Sequence, residues 1–278
     1  MKDFKTLIFL LLTSISLQAN AQTYLVKDSN ADTTGKDHLA SKFGIKSDGR
    51  TLNTNSIQKA IDFIHQKGGG RLVFYVGRYL TGSIHLRSNV IIHLEEGAVL
   101  VSSLSIYDYN QVSGRDPALV SAFNCKNTGI TGKGVLEGNG DHLLNNIKEQ
   151  AGKGFIDSRS AVPALVSIDS CDQVILSVQN YSDVAGDAIK LSNASNLTVE
   201  NAAIKTMKRG DGSGVGITLS NCKNIQVTDC FLDTELPAIK LSNEIENVQF
   251  KNVVTVDGTL LLIEDNKVVH AKKQTSVF

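Results

Sequence analysis

In this chain of 278 residues, 28 basic side chains balance 28 acidic ones, so no global field draws it to nucleic acid or to an anionic membrane. The length supports one sizeable core and would also permit two domains. Only three prolines occur, which suits a chain whose strands are all paired.

Lys2 and Lys5 precede the apolar run LIFLLL at 7–12, and Ala19-Asn20-Ala21 stands before Gln22. That order is a secretory signal peptide with an A-x-A cleavage site. Residues 1–21 are therefore expected to be removed. Residues 22–278 are expected to act as a single exported domain, periplasmic or extracellular. The apolar part is too short for a membrane span, and no second span follows.

After a polar stretch, NTNSIQKAIDFIHQKGGG (53–70) places Ile57, Ala60, Ile61 and Ile64 on one face, predicting a helix over about 54–66. Asn55 and Gln58 have capping-box spacing, and Gly68, Gly69 and Gly70 end the helix. Short strands follow: RLVFYV (71–76), YLTGSIHL (79–86), NVIIHL (89–94) and AVLV (98–101). Gly77, Gly82 and Gly97 break them, with no crossover helices between, which favours an all-β architecture. Residues 138–163 read as a long loop or short helix leaving the stack at a corner.

Flanking that loop, ALVSAFNC (118–125) and ALVSIDSC (164–171) repeat each other. Cys125 and Cys171 then stack in neighbouring coils about 4.8 Å apart, either in a buried thiol ladder or as a disulfide. The state of Cys222 and Cys230 is equally open. No CxxC pair or histidine cluster accompanies the cysteines, so neither a metal nor a cofactor is expected.

The strongest signal follows. AIKLSN (188–193) returns as GITLSN (216–221) and AIKLSN (238–243), each trailed by an asparagine and an apolar alternation: NLTVEN (196–201), NIQVTD (224–229) and NVQFKN (247–252). A repeat of 22–28 residues with strand alternation is one coil of a solenoid. The reading is a parallel β-helix whose first coil is capped by the N-terminal helix. An antiparallel sandwich, the competing reading, lacks in-register repeats. Stacked coils bury the Ile and Leu ladders and set Lys190, Thr218 and Lys240 in an outward row. TLLLIEDNKVVHAKKQTSVF (259–278) reads as a worn fourth copy with Leu261 and Ile263 inward.

Residues 43–100 resemble the N-terminal signature of glycoside hydrolase family 28, the polygalacturonases. The matching features are the G-x-x-x-D-G turn, the S-I-Q-x-A-I helix, the GGG turn, then G-x-Y-L-T-G-x-I and S-N-V-x-x-H-L-E-x-G-A. The repeats extend the likeness to about residue 266. The resemblance implies a right-handed parallel β-helix of the pectate-lyase-like superfamily, acting on acidic polysaccharide. Absence of Trp removes one common sugar platform.

In that family, carboxylates on three coils hydrolyse with inversion, in motifs reading N-T-D, G-D-D and G-H-G. SNCKNIQVTDCFLDTELPAIKLSN (220–243) aligns with them without a gap. N-T-D then falls on Ser213-Gly214-Val215, G-D-D on Glu235-Leu236-Pro237 and G-H-G on Gly258-Thr259-Leu260. Val215, Leu236 and Pro237 stand at the acid positions and cannot exchange protons, so hydrolysis is expected to be impaired. The family's R-I-K coil has no counterpart, and whether the C-terminus is truncated stays open. A second register instead places Asp187 at N-T-D and Asp211 near G-D-D.

Asp187, Asp211 and Glu235 are therefore the candidate acids of a working glycosidase. Lys190, Arg209 and Lys240 are the candidate uronate-binding residues of a groove. A uronan lyase is the rival enzyme: Lys190 and Lys240 sit about 10 Å apart, with Asp233 also nearby. No coil carries a dense Asp cluster for calcium. A structural or adhesive solenoid is the third reading. His85, His93 and His142 read as surface decoration.

Overall fold

The computed structural model describes residues 36–109, 115–157, 162–208, 214–234, 237–265 and 267–272. The leader expected at 1–21 lies outside them. The chain winds into a right-handed parallel β-helix with three faces.

The first face stacks 37–39, 70–74, 90–94, 129–132, 174–178, 195–200, 225–228 and 248–251, each strand parallel to the next. The second runs 77–81, 98–102, 135–137, 180–184, 203–206, 231–233 and 253–255. The third runs 84–85, 118–123, 164–169, 189–192, 217–220 and 239–242.

Alternation decides what is inside. Ile189, Ile217 and Ile239 are in register, as are Leu191, Leu219 and Leu241. All but the partly buried Leu241 are buried, with Ile217 and Leu219 at 0% exposure. Each such side chain contributes about 1.5–3 kcal/mol relative to exposure.

The asparagines after each repeat have a structural reason. Asn193, Asn196, Asn221, Asn224, Asn243 and Asn247 all adopt positive φ, the left-handed region that asparagine tolerates best after glycine. Their amides also bond coil to coil. Asn224 Nδ2 donates to Asn196 Oδ1 at 2.9 Å, and Asn247 Nδ2 donates to Asn224 Oδ1 at 2.7 Å. Gly132 answers a harder demand. Its φ is 114°, and a Cβ at this position would lie only 2.1 Å from the Leu94 carbonyl oxygen.

Helix α1 (Thr54–Gln66) buries Ile57, Ala60, Ile61 and Ile64 against the first coil. The capping box expected of Asn55 and Gln58 does not form, because Asn55 lies inside the helix and Gln58 has other partners. The N-cap is Asn53, whose Oδ1 accepts the Lys46 N–H at 2.8 Å. Gln58 instead pins the helix to the third face: it accepts the His85 N–H at 2.8 Å and donates to the His85 carbonyl at 3.0 Å.

Within 138–163 the chain forms helix α2 (Gly140–Gly152), with Leu143, Leu144 and Ile147 buried. The C-terminal stretch departs from the expected fourth copy. Thr259–Glu264 pairs antiparallel with Val253 and Val254 on one side and with Lys267–Lys272 on the other. Leu261 is buried at 1% exposure and Ile263 packs on the core, so the inward residues are as expected on a strand that runs the other way. The four cysteines are buried free thiols, and the Cys125 N–H donates to Cys171 Sγ at 3.3 Å, as stacking predicts.

Candidate functional site

Outward-facing positions of the third face form a continuous column. Strand pairing stacks His85 on Ser121, then Ser167, Lys190, Thr218 and Lys240. A second outward column carries Phe123, Asp169, Ser192, Ser220 and Ser242. The expected row of Lys190, Thr218 and Lys240 is thus present as neighbouring rungs.

Those residues differ in what they meet. The Lys190 ammonium pairs with Asp116 at 2.7 Å. Lys240 is exposed and has no ion-pair partner among the described residues. Asp187 occupies the corner just before the third-face strand. Its Oδ2 accepts the Thr218 hydroxyl at 3.1 Å, and its Oδ1 accepts the Val215 N–H at 3.2 Å. Both oxygens are therefore engaged by the following coil.

Two residues before the registered Ile189, Ile217 and Ile239 stand Asp187, Val215 and Pro237, and the Val215 N–H reaches back to Asp187 Oδ1. Val215 is buried at 5% exposure and Pro237 is exposed. One acid and two groups without a proton to exchange stand at this corner. Arg209, Asp211, Glu235 and Leu236 lie outside the described residues. Asp233 is held by Lys208 at 2.7 Å. Among the described residues no three His, Cys, Asp or Glu side chains form a metal-binding group.

The concave part of this face lies one to three rungs before Lys190. A cavity of about 210 Å³ opens there over Ser121 and Ser167, walled by His85, Arg115, Asp116 and Asp169. Arg115 is the organising residue. Its Nε donates to Asp169 Oδ2 at 2.5 Å, and its guanidinium carbon lies 3.4 Å from the centroid of the Phe123 ring. Stacking and ion pairing together fix a planar fork whose charge is already matched.

Asp169 also accepts the Ser170 hydroxyl at 3.0 Å and the Asn193 amide at 2.9 Å. Partial burial raises its pKa, but the hydrogen bonds from Arg115, Asn193 and Ser170 outweigh that and leave it below the ordinary carboxylate value.

His85 is half-buried, and its Nδ1 shares a hydrogen bond with the Ser121 hydroxyl at 2.5 Å. Burial, then the nearby Arg87 charge, lowers its pKa, while Asp62 partly offsets them. Arg87 itself pairs with Asp62 at 2.8 Å. The expectation that His85 and His93 merely decorate the surface is overturned. His85 walls the cavity, and His93 is half-buried with its Nδ1 bonded to the Thr131 hydroxyl at 2.8 Å. The alternation that set His85 outward was its one sequence signal, while Arg115 and Asp116 had none.

This geometry can be set beside known proteins. The glycosyl hydrolases family 28 model matches residues 77–261. An exo-poly-α-D-galacturonosidase of Dickeya chrysanthemi is 27% identical over 259 residues, covering 74% of this chain and 43% of that protein. The chain thus spans less than half the length of that relative.

Among solved structures, a candidate glycosyl hydrolase from Parabacteroides merdae ATCC 43184 superposes with a TM-score of 0.75 at 40% identity, covering 80% of this chain and 99% of that one. A hyperthermoactive exopolygalacturonase from Thermotoga maritima gives a TM-score of 0.63 at 21% identity, covering 80% and 60%, and shows the shared fold. With its matched region running from the first coil into the terminal hairpin, the chain belongs to glycosyl hydrolase family 28.

Proposed function

We propose that this is an exported family 28 protein that binds acidic polysaccharide along its third face and no longer hydrolyses it by the family's carboxylate mechanism. The observation that carries the reading is the corner column Asp187, Val215 and Pro237. General acid catalysis needs a titratable group within hydrogen-bond reach of the glycosidic oxygen. Of that column Asp187 alone carries a carboxyl group, and its two oxygens already accept bonds from Val215 and Thr218.

Lys240 supports the ligand class. It stands exposed in the row beyond Lys190 and Thr218, where a uronate carboxylate can reach it. The name of the Dickeya relative, an exo-poly-α-D-galacturonosidase, points to the same class. Export rests on the leader at 1–21.

The mature protein incubated with polygalacturonate should release no reducing ends above a protein-free control, yet migrate more slowly in uronan-containing gels. Reducing-end release abolished by Asp211→Asn would overturn the reading in favour of a working hydrolase. A rise in unsaturated-product absorbance, removed by chelator and by Lys240→Ala, would make it a lyase. No response to any glycan would leave an adhesive solenoid.

A further inference from the structure

We propose that the cavity beneath Arg115 is a subsite for one uncharged sugar ring, so that the bound polysaccharide carries neutral residues beside its acidic ones. The inference rests on the glycan-binding reading above and adds a ligand class to a place that reading does not use.

Charge accounting around the cavity comes first. Each cation there already has a carboxylate of its own: Arg115 has Asp169 at 2.5 Å, Lys190 has Asp116 at 2.7 Å and Arg87 has Asp62 at 2.8 Å. A uronate entering this place would meet no unmatched positive charge and would face Asp116 across the cavity. These pairs are partly solvated, so separating one to seat it would only exchange one carboxylate partner for another and return little. Lys240, two rungs beyond Lys190, offers what the cavity lacks.

The hydrogen-bonding inventory makes the same choice. A carboxylate only accepts, whereas every sugar hydroxyl both donates and accepts. The cavity supplies both kinds of partner. The terminal amino groups of Arg115 donate, because only Nε is used by Asp169. The Ser167 hydroxyl does either, whereas that of Ser121 is already shared between His85 Nδ1 and the Ile84 carbonyl. Among the described residues Asp116 uses only Oδ2, on Lys190, which leaves Oδ1 to accept. His85 has Nδ1 engaged by Ser121 and lines the cavity with the rest of its ring.

The part of Phe123 that Arg115 leaves uncovered adds apolar surface to the lining. Sugar rings present C–H faces that such patches desolvate. At about 210 Å³ the space falls below the roughly 300–1,000 Å³ of pockets for drug-sized ligands, as a single ring requires.

The test uses the full mature chain and saturation-transfer NMR with two neutral probes, methyl α-galactoside and methyl β-glucoside, against sodium galacturonate. A neutral glycoside should bind, with little change on raising the salt, and more tightly than galacturonate. Arg115→Ala should weaken it about tenfold or more, as expected for lost bonds to a charged donor. Asp116→Asn, an exposed and conservative change, should weaken the neutral glycoside several-fold and improve galacturonate relative to it. Unchanged melting of both variants excludes misfolding as the cause.

Tighter, salt-sensitive galacturonate binding that Arg115→Ala removes would overturn the inference and make the cavity a uronate site. Retarded migration on polygalacturonate with neither neutral probe bound would overturn the inference alone. Loss of all glycan binding would sink the inference together with the reading beneath it.

Discussion

The third face has two parts built on one register, and they do different things. From Ala188 to Ser242 successive coils repeat nearly identical strands, so outward positions line up as a flat wall of Lys190, Thr218 and Lys240. From Ile84 to Asp169 the strands keep the same pairing, but the chain makes longer excursions between second-face and third-face strands, over 103–117 and 138–163. The first excursion ends in Arg115 and Asp116, which fold back onto Asp169 and Lys190 and wall a cavity. Regular coils make a scaffold, and concavity comes from the corners where regularity stops.

The largest effect should come from the regular part. Leu219→Ala removes a fully buried side chain stacked between Leu191 and Leu241, and should cost about 2–5 kcal/mol in urea unfolding. Next is the asparagine ladder. Asn224→Ala loses bonds to both neighbouring coils and places alanine at positive φ, costing about 1–3 kcal/mol by the same measurement. An Asn224→Gly variant should recover part of that loss, since glycine restores the backbone but not the bonds. The irregular part should behave oppositely. Arg115→Ala should change stability by only about 1 kcal/mol or less, because its pair with Asp169 is partly solvated. Equal destabilisation by Leu219→Ala and Arg115→Ala would erase the distinction between scaffold and site.

What could be read in advance follows the same division. The Ile and Leu ladders and the Lys190–Thr218–Lys240 row were legible because alternation and repeat length alone fix which residues stack. Helix α1 was legible from Ile57, Ala60, Ile61 and Ile64, whereas α2, equally long, hides its face in a more polar run. The terminal hairpin was not legible, since alternation reads the same for a parallel strand and an antiparallel one. Nor was the cavity. It depends on Arg115 meeting Asp169 across 54 residues of chain, a contact with no periodicity and no motif.

The smallest predicted effect tests whether His85 belongs to the site or to the scaffold. Its pKa is lowered from the ordinary 6.5 by burial first and by Arg87 second, so the folded protein prefers the neutral ring. For a group whose folded pKa is depressed, the unfolded chain binds the proton first as the pH falls. The stability contributed by the neutral ring is then present above about pH 6.5 and lost below it. The difference in urea midpoint between wild type and His85→Gln should therefore shift against the wild type between about pH 7 and pH 5. Comparing the two proteins cancels His38 and His93, whose pKa values burial also lowers. Binding of the neutral glycoside should change over the same interval in the wild type and not in His85→Gln, because protonation charges a ring that lines the cavity. Parallel pH curves for wild type and variant would place His85 in the scaffold and leave the cavity to Arg115 and Asp116.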